Sequence, residues 1–392
     1  MSYKYPGVYV EEIQSGPRSI EAVGTSTAAF LGVSPNAGAH LQEAIAITNW
    51  MQFVREFCDG ANGTTPLAQA VFGFFDNGGT RCYVINVGER GTIAGTFQDG
   101  KRRGIALCDE IDEIAIVAAP GYATIDAYEA LLSHCEKRKD RFCLLDAPPT
   151  VKRLEDLTQV GAPADAETPP KPGAKPGLKP RESSFGAFYF PWLVIRDPLT
   201  GASATVPPSG HVAGVYARVD GTRGVHKAPA NENLRGVVDL SYYVTNEDQE
   251  ALNPAGVNCI RFNQPAGIQI WGARTLDGDG QWRYINVRRL FLMAEESIGR
   301  GTRWTVFEPN DLTLWKSVRR DVGAFLMRLW KSGALFGRTP EEAFFVKCDE
   351  ETNPPESIDA GQLITIVGMA PVKPAEFIVF RIGQYAAGTQ IE

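Results

Sequence analysis

The sequence predicts an α/β fold followed by a smaller α+β fold. From residue 22 to residue 195, apolar runs of strand length alternate with helical patterns, which is typical of a mostly parallel sheet covered on both faces. After residue 240, two long amphipathic helical patterns stand beside apolar strands. Between residues 162 and 184 the composition changes to proline, lysine and small residues, which predicts an insertion and not a core.

These patterns divide the chain into four parts. We expect an N-terminal arm over 1–21, an α/β domain over 22–240, an α+β domain over 241–382 and a C-terminal tail over 383–392. The arm is expected to pack with the α+β domain or with a neighbouring molecule.

Composition excludes several classes of protein. With 44% hydrophobic residues in a chain of 392, there is enough apolar surface for folded cores. The net charge of −7 argues against nucleic acid as a partner, because nucleic-acid binders usually carry a basic excess. No apolar run reaches the roughly 20 residues that cross a bilayer, and the first ten residues lack the apolar core of a signal peptide. We therefore expect folding in the cytoplasm and no direct membrane insertion.

Cysteine and histidine positions give no sign of a metal or a cofactor. The seven cysteines include no CxxC pair, so we expect reduced, mostly buried thiols, with neither a zinc site nor a disulfide framework. His40, His134 and His226 have no partners at metal-ligand spacing. The DGDG sequence at 277–280 lacks the ligand series of a calcium loop and is interpreted as a turn.

The elements of the α/β region follow from apolar runs between turn residues. Helices are predicted over 66–79, ended by Gly78 and Gly79, and over 125–138. The predicted strands are 22–33, 81–87, 113–120, 141–148 and 188–195.

The insertion at about 162–184 is rich in proline. Residues 163–180 hold six prolines in 18 residues, with almost no apolar side chain. Such a stretch cannot bury a core, so we expect an extended, solvated surface loop. Because a strand pattern resumes after it, we interpret it as an insertion within the α/β domain.

Two helical patterns dominate the α+β region. Over 287–298, apolar side chains recur at i, i+3, i+4, i+7 and i+11 and so share one face. Between Asp311 and Trp330 an apolar arc faces one way, and the opposite arc carries Lys316, Arg320 and Lys331. We expect Asn310 to cap the start of this second helix and Gly333 to end it. The predicted strands of this region are 267–272, 341–348, 362–370 and 376–382.

Both ends of the chain contain short extended patterns. Residues 5–13 form a strand pattern that would leave unpaired backbone groups if it stood alone, so it needs a sheet to join. It is either an edge strand of its own domain or an arm that joins another sheet. Pro371 and Pro374 precede the 376–382 pattern, which also indicates an edge strand or an arm. The candidate arm residues are Tyr5, Val8, Tyr9, Val10, Ile13, Phe377, Val379 and Ile382.

Several of these stretches resemble one known family. YPGVYVEE at 5–12, PPSGHVAGVYARVDGTRGVHKAPAN at 207–231, ALNPAGVNCIRF at 251–262 and the run from 267 to 330 are similar, in that order, to contractile tail sheath proteins. That family occurs in myophages, R-type bacteriocins and extracellular contractile injection systems. The match is spread over most of the chain, and the proline-rich insertion is its one departure from the family pattern.

The resemblance implies a structural, non-enzymatic protein. It implies an inner α+β sheath core domain, an outer subtilisin-like α/β domain and N- and C-terminal arms that add strands to neighbouring subunits. The expected partners are further copies in stacked hexameric rings, an inner tube, a baseplate and a terminator or cap. The expected function is contraction that drives the tube through a target envelope, in a particle assembled in the cytoplasm and released from the cell in some systems. In related sheaths a basic helix meets an acidic tube, so Lys316, Arg320 and Lys331 are candidates for the tube-facing surface.

Two alternatives remain at this stage. GTSTA at 24–28 and GHVAG at 210–214 look like the serine and histidine motifs of subtilisin-type proteases. However, subtilisins place the histidine before the serine, and here Ser26 precedes His211 and falls within a predicted strand. The other alternative is a baseplate or cap component that shares the sheath core domain.

Overall fold

A computed structural model of the protein describes residues 19–61, 63–89, 91–162, 177–278 and 280–379. Most of the insertion, 163–176, and both chain ends, 1–18 and 380–392, lie outside these ranges. No helix within them is long and apolar enough to cross a membrane.

A large mixed sheet forms the centre of the molecule. The strands of the described residues are β1 Ala28–Gly32, β2 Ala44–Ile47, β3 Cys82–Asn86, β4 Thr96–Gln98, β5 Lys101–Arg103, β6 Ile116–Ala118, β7 Phe142–Asp146, β8 Gly186–Phe190, β9 Leu193–Arg196, β10 Ser203–Val206, β11 Glu232–Asn233, β12 Val237–Leu240, β13 Val257–Asn263, β14 Gly267–Ile270, β15 Phe344–Lys347 and β16 Ile366–Met369. Nine of them form one sheet in the order β11-β14-β13-β8-β7-β6-β1-β3-β2. The six from β13 to β3 in this order run parallel, and the flanking strands pair antiparallel. Strands β1, β7 and β8 are buried at every residue, so both faces of the sheet are covered as predicted.

Helices cover the sheet and build the C-terminal part. They are α1 Trp50–Phe57, α2 Pro66–Asp76, α3 Ile125–Arg138, α4 Ser209–Arg223, α5 Asn246–Leu252, α6 Ile285–Gly301, α7 Leu312–Lys331, α8 Pro340–Ala343 and α9 Pro355–Asp359. Strands β10, β9 and β12 form a small antiparallel sheet, and β4 with β5 and β15 with β16 form two-stranded sheets.

The α2 and α4 helices cross very closely because glycine lines their contact. A Cβ on Gly210 would lie 2.3 Å from the Ala70 Cα, and one on Gly73 would lie 2.3 Å from the His211 Nδ1. No side chain larger than hydrogen fits at either position, so the sequence GHVAG serves helix packing here.

A second, smaller core lies in the C-terminal part. It contains Ile20 and apolar side chains of α6, α7, β15 and β16. The α6 helix divides its buried residues between the cores, since Ile285 and Leu292 belong to the sheet core and Leu290 and Met293 to the second one. One helix therefore joins the two cores.

The base of the proline-rich insertion is closed. Val160 and Lys179 form a parallel bridge, and Gly161 N donates to the Lys179 O at 2.9 Å. The chain thus leaves and returns at one place, and the interpretation of this stretch as a surface insertion stays a prediction.

Several element predictions need correction. The predicted strand 188–195 is two strands in different sheets, because Pro191 lacks the N–H that would continue the ladder. The predicted strand 22–33 begins only at Ala28. Strands β13 and β14, within our expected α+β domain, lie in the large sheet. The domain boundary at 240/241 stays a prediction, as does the subtilisin-like description of the α/β domain.

Candidate assembly surfaces

The first described residues are fixed to the C-terminal helices. Ile20 is 1% exposed and sits against Gly301, where a Cβ would come within 2.7 Å of it. Arg328 of α7 donates to the Ile20 carbonyl, and Ser297 of α6 accepts from Val23 N at 3.0 Å. Residues 20–23 are therefore fixed against α6 and α7. The candidate arm residues Tyr5, Val8, Tyr9, Val10 and Ile13 lie outside the described residues.

A buried ion pair ties this N-terminal segment to the sheet. Arg289 of α6 contacts the Asp220 carboxylate of α4 at 2.6 and 3.0 Å, and their side chains are 3% and 4% exposed. Thr25 accepts from Arg289 through its carbonyl and donates from its hydroxyl to Asp220 at 2.6 Å. Burial opposes the charge on Arg289, but Asp220 outweighs burial and raises the pKa of Arg289. A fully paired buried network of this kind holds its members in one arrangement.

The C-terminal end of the described chain exposes apolar side chains. Phe377, Ile378 and Val379 are 74%, 74% and 78% exposed, and residues 376–379 pair with no strand in the described part of the chain. Ile382 lies outside the described residues. The predicted strand over 376–382 thus has no partner among the described residues, and its role as an arm stays a prediction.

The sheet of β15 and β16 has two open edges in the described structure. Its strands pair antiparallel from Phe344↔Met369 to Lys347↔Ile366. One face packs on the second core through Phe344, Val346 and Val367. On the other face Phe345 and Ile366 are 56% and 47% exposed. Open edges with apolar side chains are templates for further strands.

The α7 helix presents the predicted basic arc. Lys316, Arg320 and Lys331 are exposed, opposite a buried arc. Arg320 also contacts the buried Asp321 at 3.0 Å, so part of its charge serves the fold. The arc also includes the exposed Arg319, which our sequence reasoning missed.

The predicted cap of α7 was wrong by one residue. Asp311 accepts from Leu314 N at 2.8 Å and is the N-cap. Asn310 instead accepts from the Trp315 indole at 2.7 Å. A carboxylate and an amide are equally suited to this position, so sequence could not decide between neighbours.

The turn before α7 and the first residue of that helix expose apolar side chains that the sequence did not reveal. Val306, Phe307 and Leu312 are 62%, 102% and 53% exposed. Phe307 also has a φ of +67°, a left-handed conformation that is unfavourable for an aromatic residue. Exposure and strain together single out this turn as a candidate contact surface.

The candidate protease motifs do not form a catalytic site. Ser26 is half-buried and lies just before β1, not within it as we expected. His211 is 0% exposed inside α4, and neither ring nitrogen has a hydrogen-bond partner among the described residues. Burial lowers the pKa of His211 to about 4. A histidine without a bond to a serine or to an orienting group cannot act as the base of a triad.

Six of the seven cysteines are buried, as predicted, and Cys58 is partly exposed. Among the described residues, no group of three His, Cys, Asp or Glu side chains is placed to hold a metal ion.

Comparisons with known proteins agree with this architecture. Residues 106–276 match the family described as "Phage tail sheath protein central domain", and residues 277–384 match "Phage tail sheath C-terminal domain". The tail sheath protein of Escherichia phage P2 is 24% identical, over 97% of this chain and 96% of that protein.

Solved structures give closer similarity. A chain of the anti-feeding prophage (AFP) helical sheath in the contracted state is 33% identical, with a TM-score of 0.75 over 98% of this chain and 100% of that chain. A chain of the PVC sheath complex of an extracellular contractile injection system, also in the contracted state, is 32% identical, with a TM-score of 0.78 over 98% of both chains. A chain of the AFP baseplate, 6-fold symmetrised, is 33% identical, with a TM-score of 0.76 over 98% of this chain and 100% of that chain.

The nine-stranded mixed sheet and the small α+β core match the fold of solved sheath structures, so the class is that of a structural sheath subunit. The chain belongs to the contractile tail sheath protein family.

Proposed function

We propose that this protein polymerises as stacked hexameric rings into a sleeve around an inner tube, and that contraction of the sleeve drives the tube through a target envelope. The similar AFP and PVC chains come from contracted sheaths, and the AFP baseplate chain comes from a 6-fold assembly. The proposed partners are other copies of this chain, the inner tube, a baseplate and a terminator or cap. Assembly takes place in the cytoplasm, in a phage tail or a tail-like particle that some systems release.

The open two-stranded sheet carries this proposal. An isolated two-stranded sheet is only marginally stable, and β15 and β16 have no third strand among the described residues. Strands from other copies would complete it by β-augmentation, in which main-chain hydrogen bonds provide the affinity. We assign the donated strands to the arms, with Tyr5–Ile13 of one copy lying near residues 376–382 of a neighbour.

The tube would meet α7. The basic arc of Lys316, Arg320 and Lys331 lies on α7, and the exposed Val306, Phe307 and Leu312 lie before its start and at its first residue, so this region offers both charged and apolar groups. Such a surface fits an acidic, partly apolar partner.

Deletion of residues 1–14 tests the strand exchange. Each main-chain hydrogen bond contributes about 0.5–1.5 kcal/mol, so one arm is weak and the repeated lattice is strong. The truncated chain should remain a folded monomer with an unchanged circular dichroism spectrum and form no sleeves in negative-stain micrographs. Val8→Pro, which removes one donor, should reduce sleeve formation more mildly.

If the deletion unfolds the monomer, the segment is an edge strand of its own domain, and the proposed strand exchange is wrong.

Microscopy of the wild type also separates a sheath from a baseplate or cap component. Long striated sleeves support a sheath, whereas single rings or short caps would support a baseplate or cap component.

A further inference from the structure

The last described residues are held to the body by side chains and not by strand pairing. Arg274 donates to both Glu376 carboxylate oxygens, at 2.9 and 2.8 Å. Asn253 donates to the same carboxylate at 2.7 Å, and the Tyr284 hydroxyl does so at 3.2 Å. We call these four residues the Glu376 latch.

Arg274, which binds Glu376, is itself held in place by hydrogen bonds. Arg274 N donates to Asn258 Oδ1 at 2.7 Å, and Asn258 Nδ2 donates back to the Arg274 carbonyl at 2.7 Å. A further guanidinium N–H of Arg274 donates to the Asn253 carbonyl at 3.1 Å. The guanidinium is therefore oriented before it meets Glu376, which reduces the entropy lost when the pair forms.

The ion pair is largely shielded from water. The side chains of Arg274 and Glu376 are 12% and 19% exposed. Burial alone would raise the pKa of Glu376, but hydrogen bonds from Arg274 and Asn253 outweigh it and lower this pKa. A bidentate pair in this setting is stronger than an exposed one.

Little else holds this stretch of chain. The last backbone–backbone hydrogen bond toward the C-terminus of the described chain runs from Val372 N to the Ala334 carbonyl, at 3.2 Å. A groove of about 1190 Å³ lies beside residues 372–378, and α5 contributes to its wall. Immediately after Glu376, three successive side chains are about three-quarters exposed. The Glu376 latch therefore sets where the chain leaves the body.

We propose that the Glu376 latch is the positioning device of the C-terminal arm, fixing its exit point so that residues from 377 onward reach another copy of this chain. This inference rests on the proposed strand exchange and goes beyond it by assigning the side chains that aim the arm. Without the latch, the free tether begins at residue 373. A longer tether lowers the effective concentration of the arm at its acceptor.

The test uses the full-length purified chain and measures the critical concentration for sleeve formation by light scattering. Glu376→Ala should raise it about tenfold, because the arm then searches a larger volume. Hydrogen exchange of a peptide covering 372–379 should also become faster in the monomer. Arg181→Ala is the matched control, since Arg181 holds Glu129 and Glu136 at 2.6 and 2.8 Å and makes none of the latch contacts. It should leave the critical concentration unchanged.

Two further variants separate the possible failures. Glu376→Gln keeps the size of the side chain and one acceptor oxygen, so it should give an intermediate critical concentration. If Glu376→Ala melts at a much lower temperature than Arg181→Ala, its assembly defect could come from unfolding, and the critical concentration of Glu376→Gln then tests the inference. If both Glu376 variants assemble like the wild type while deletion of 377–392 abolishes assembly, the arm acts without the latch and our inference is wrong. If that deletion also leaves assembly intact, the C-terminal strand exchange itself is wrong.

Discussion

At the scale of single residues, His211 shows how the fold uses a motif that looks catalytic. Its ring is fully buried between α4 and α2, with both nitrogens unpartnered among the described residues. A buried polar group without a partner costs stability. The ring also packs closely against Gly73, where a Cβ would lie 2.3 Å from Nδ1, so its role here is packing between the two helices.

We predict that His211→Leu stabilises the protein by about 1 kcal/mol at neutral pH, because it removes an unsatisfied group. The acid dependence should also change. Burial lowers the pKa of His211 to about 4 from 6.5, so the unfolded chain binds more protons between these values and wild-type stability falls as pH decreases. Between pH 6.5 and pH 4, the titration of His211 lowers the free energy of unfolding by about 3 kcal/mol. Urea unfolding at pH 7 and pH 5 measures both effects.

The substituted protein should lose less stability on acidification, although His134, with a pKa also lowered to about 4 by burial and Arg141, still contributes. If the free energy of unfolding changes equally with pH in the wild type and in His211→Leu, the lowered pKa of His211 is not the cause.

Phe307 is a second residue whose role is open to a stability measurement. Its left-handed φ of +67° costs free energy that Asn tolerates better. We predict that Phe307→Asn raises the free energy of unfolding by roughly 1 kcal/mol and weakens binding to the tube. Phe336→Asn is a suitable control, because Phe336 is 74% exposed on ordinary backbone. Greater stability in the control than in Phe307→Asn would show that strain is not the cause.

Single residues are also where sequence reasoning failed most often. Apolar arcs and turn glycines were predictable, but the strain at Phe307 was not, because φ depends on the geometry of the whole turn. The partners of Arg274 were equally hidden, since Glu376 lies 102 positions further along the chain. No local pattern joins residues at such separation.

At the scale of elements, the α7 helix carries a prediction about the tube. Arg320 forms an ion pair with the buried Asp321, so changing it would also disturb the fold. The informative variant is therefore Lys316→Glu with Lys331→Glu. We expect this double variant to bind the tube roughly fivefold more weakly at low salt, with an unchanged melting temperature, since exposed charge pairs are individually weak. The difference should diminish at high salt, where exposed charges are screened. Co-sedimentation with the tube protein measures it.

The chain offers a matched control in its central part. Lys101→Glu with Lys152→Glu makes the same change in net charge at exposed positions away from α7. An equal loss of binding in this control would show that net charge, and not the basic arc, matters.

Some elements were predictable from a clear period, although the amphipathic helix α1 was missed. The α3 helix occupies the predicted 125–138, and β7 lies within the predicted 141–148. The α4 helix was missed because residues 209–217 are all buried, so no alternation of polar and apolar faces marks it as a helix. Its glycines, which usually weaken a helix, are needed for the contact with α2.

At the scale of the whole molecule, several contacts join the two cores. The α6 helix belongs to both, and its Arg289 pairs with Asp220 of α4. Truncating one member of such a buried pair leaves the other charge without compensation. Sequence predicted an α/β part and an α+β part, but it did not predict that β13 and β14 join the large sheet, since strand pairing across the chain has no local signal.

The path of residues 19–28 gives the subunit a mechanical property. Force applied to the chain at its first described residues would pass from Ile20 through Val23 and Thr25 and reach β1 within a few residues. Strand β1 has parallel neighbours on both sides, β3 and β6, so it cannot be peeled away from an edge. Tension must break two hydrogen-bond ladders together before the strand yields. If neighbouring subunits pull on this end of the chain during the proposed contraction, the load would fall on the centre of the sheet, and the protein would not unravel from an edge.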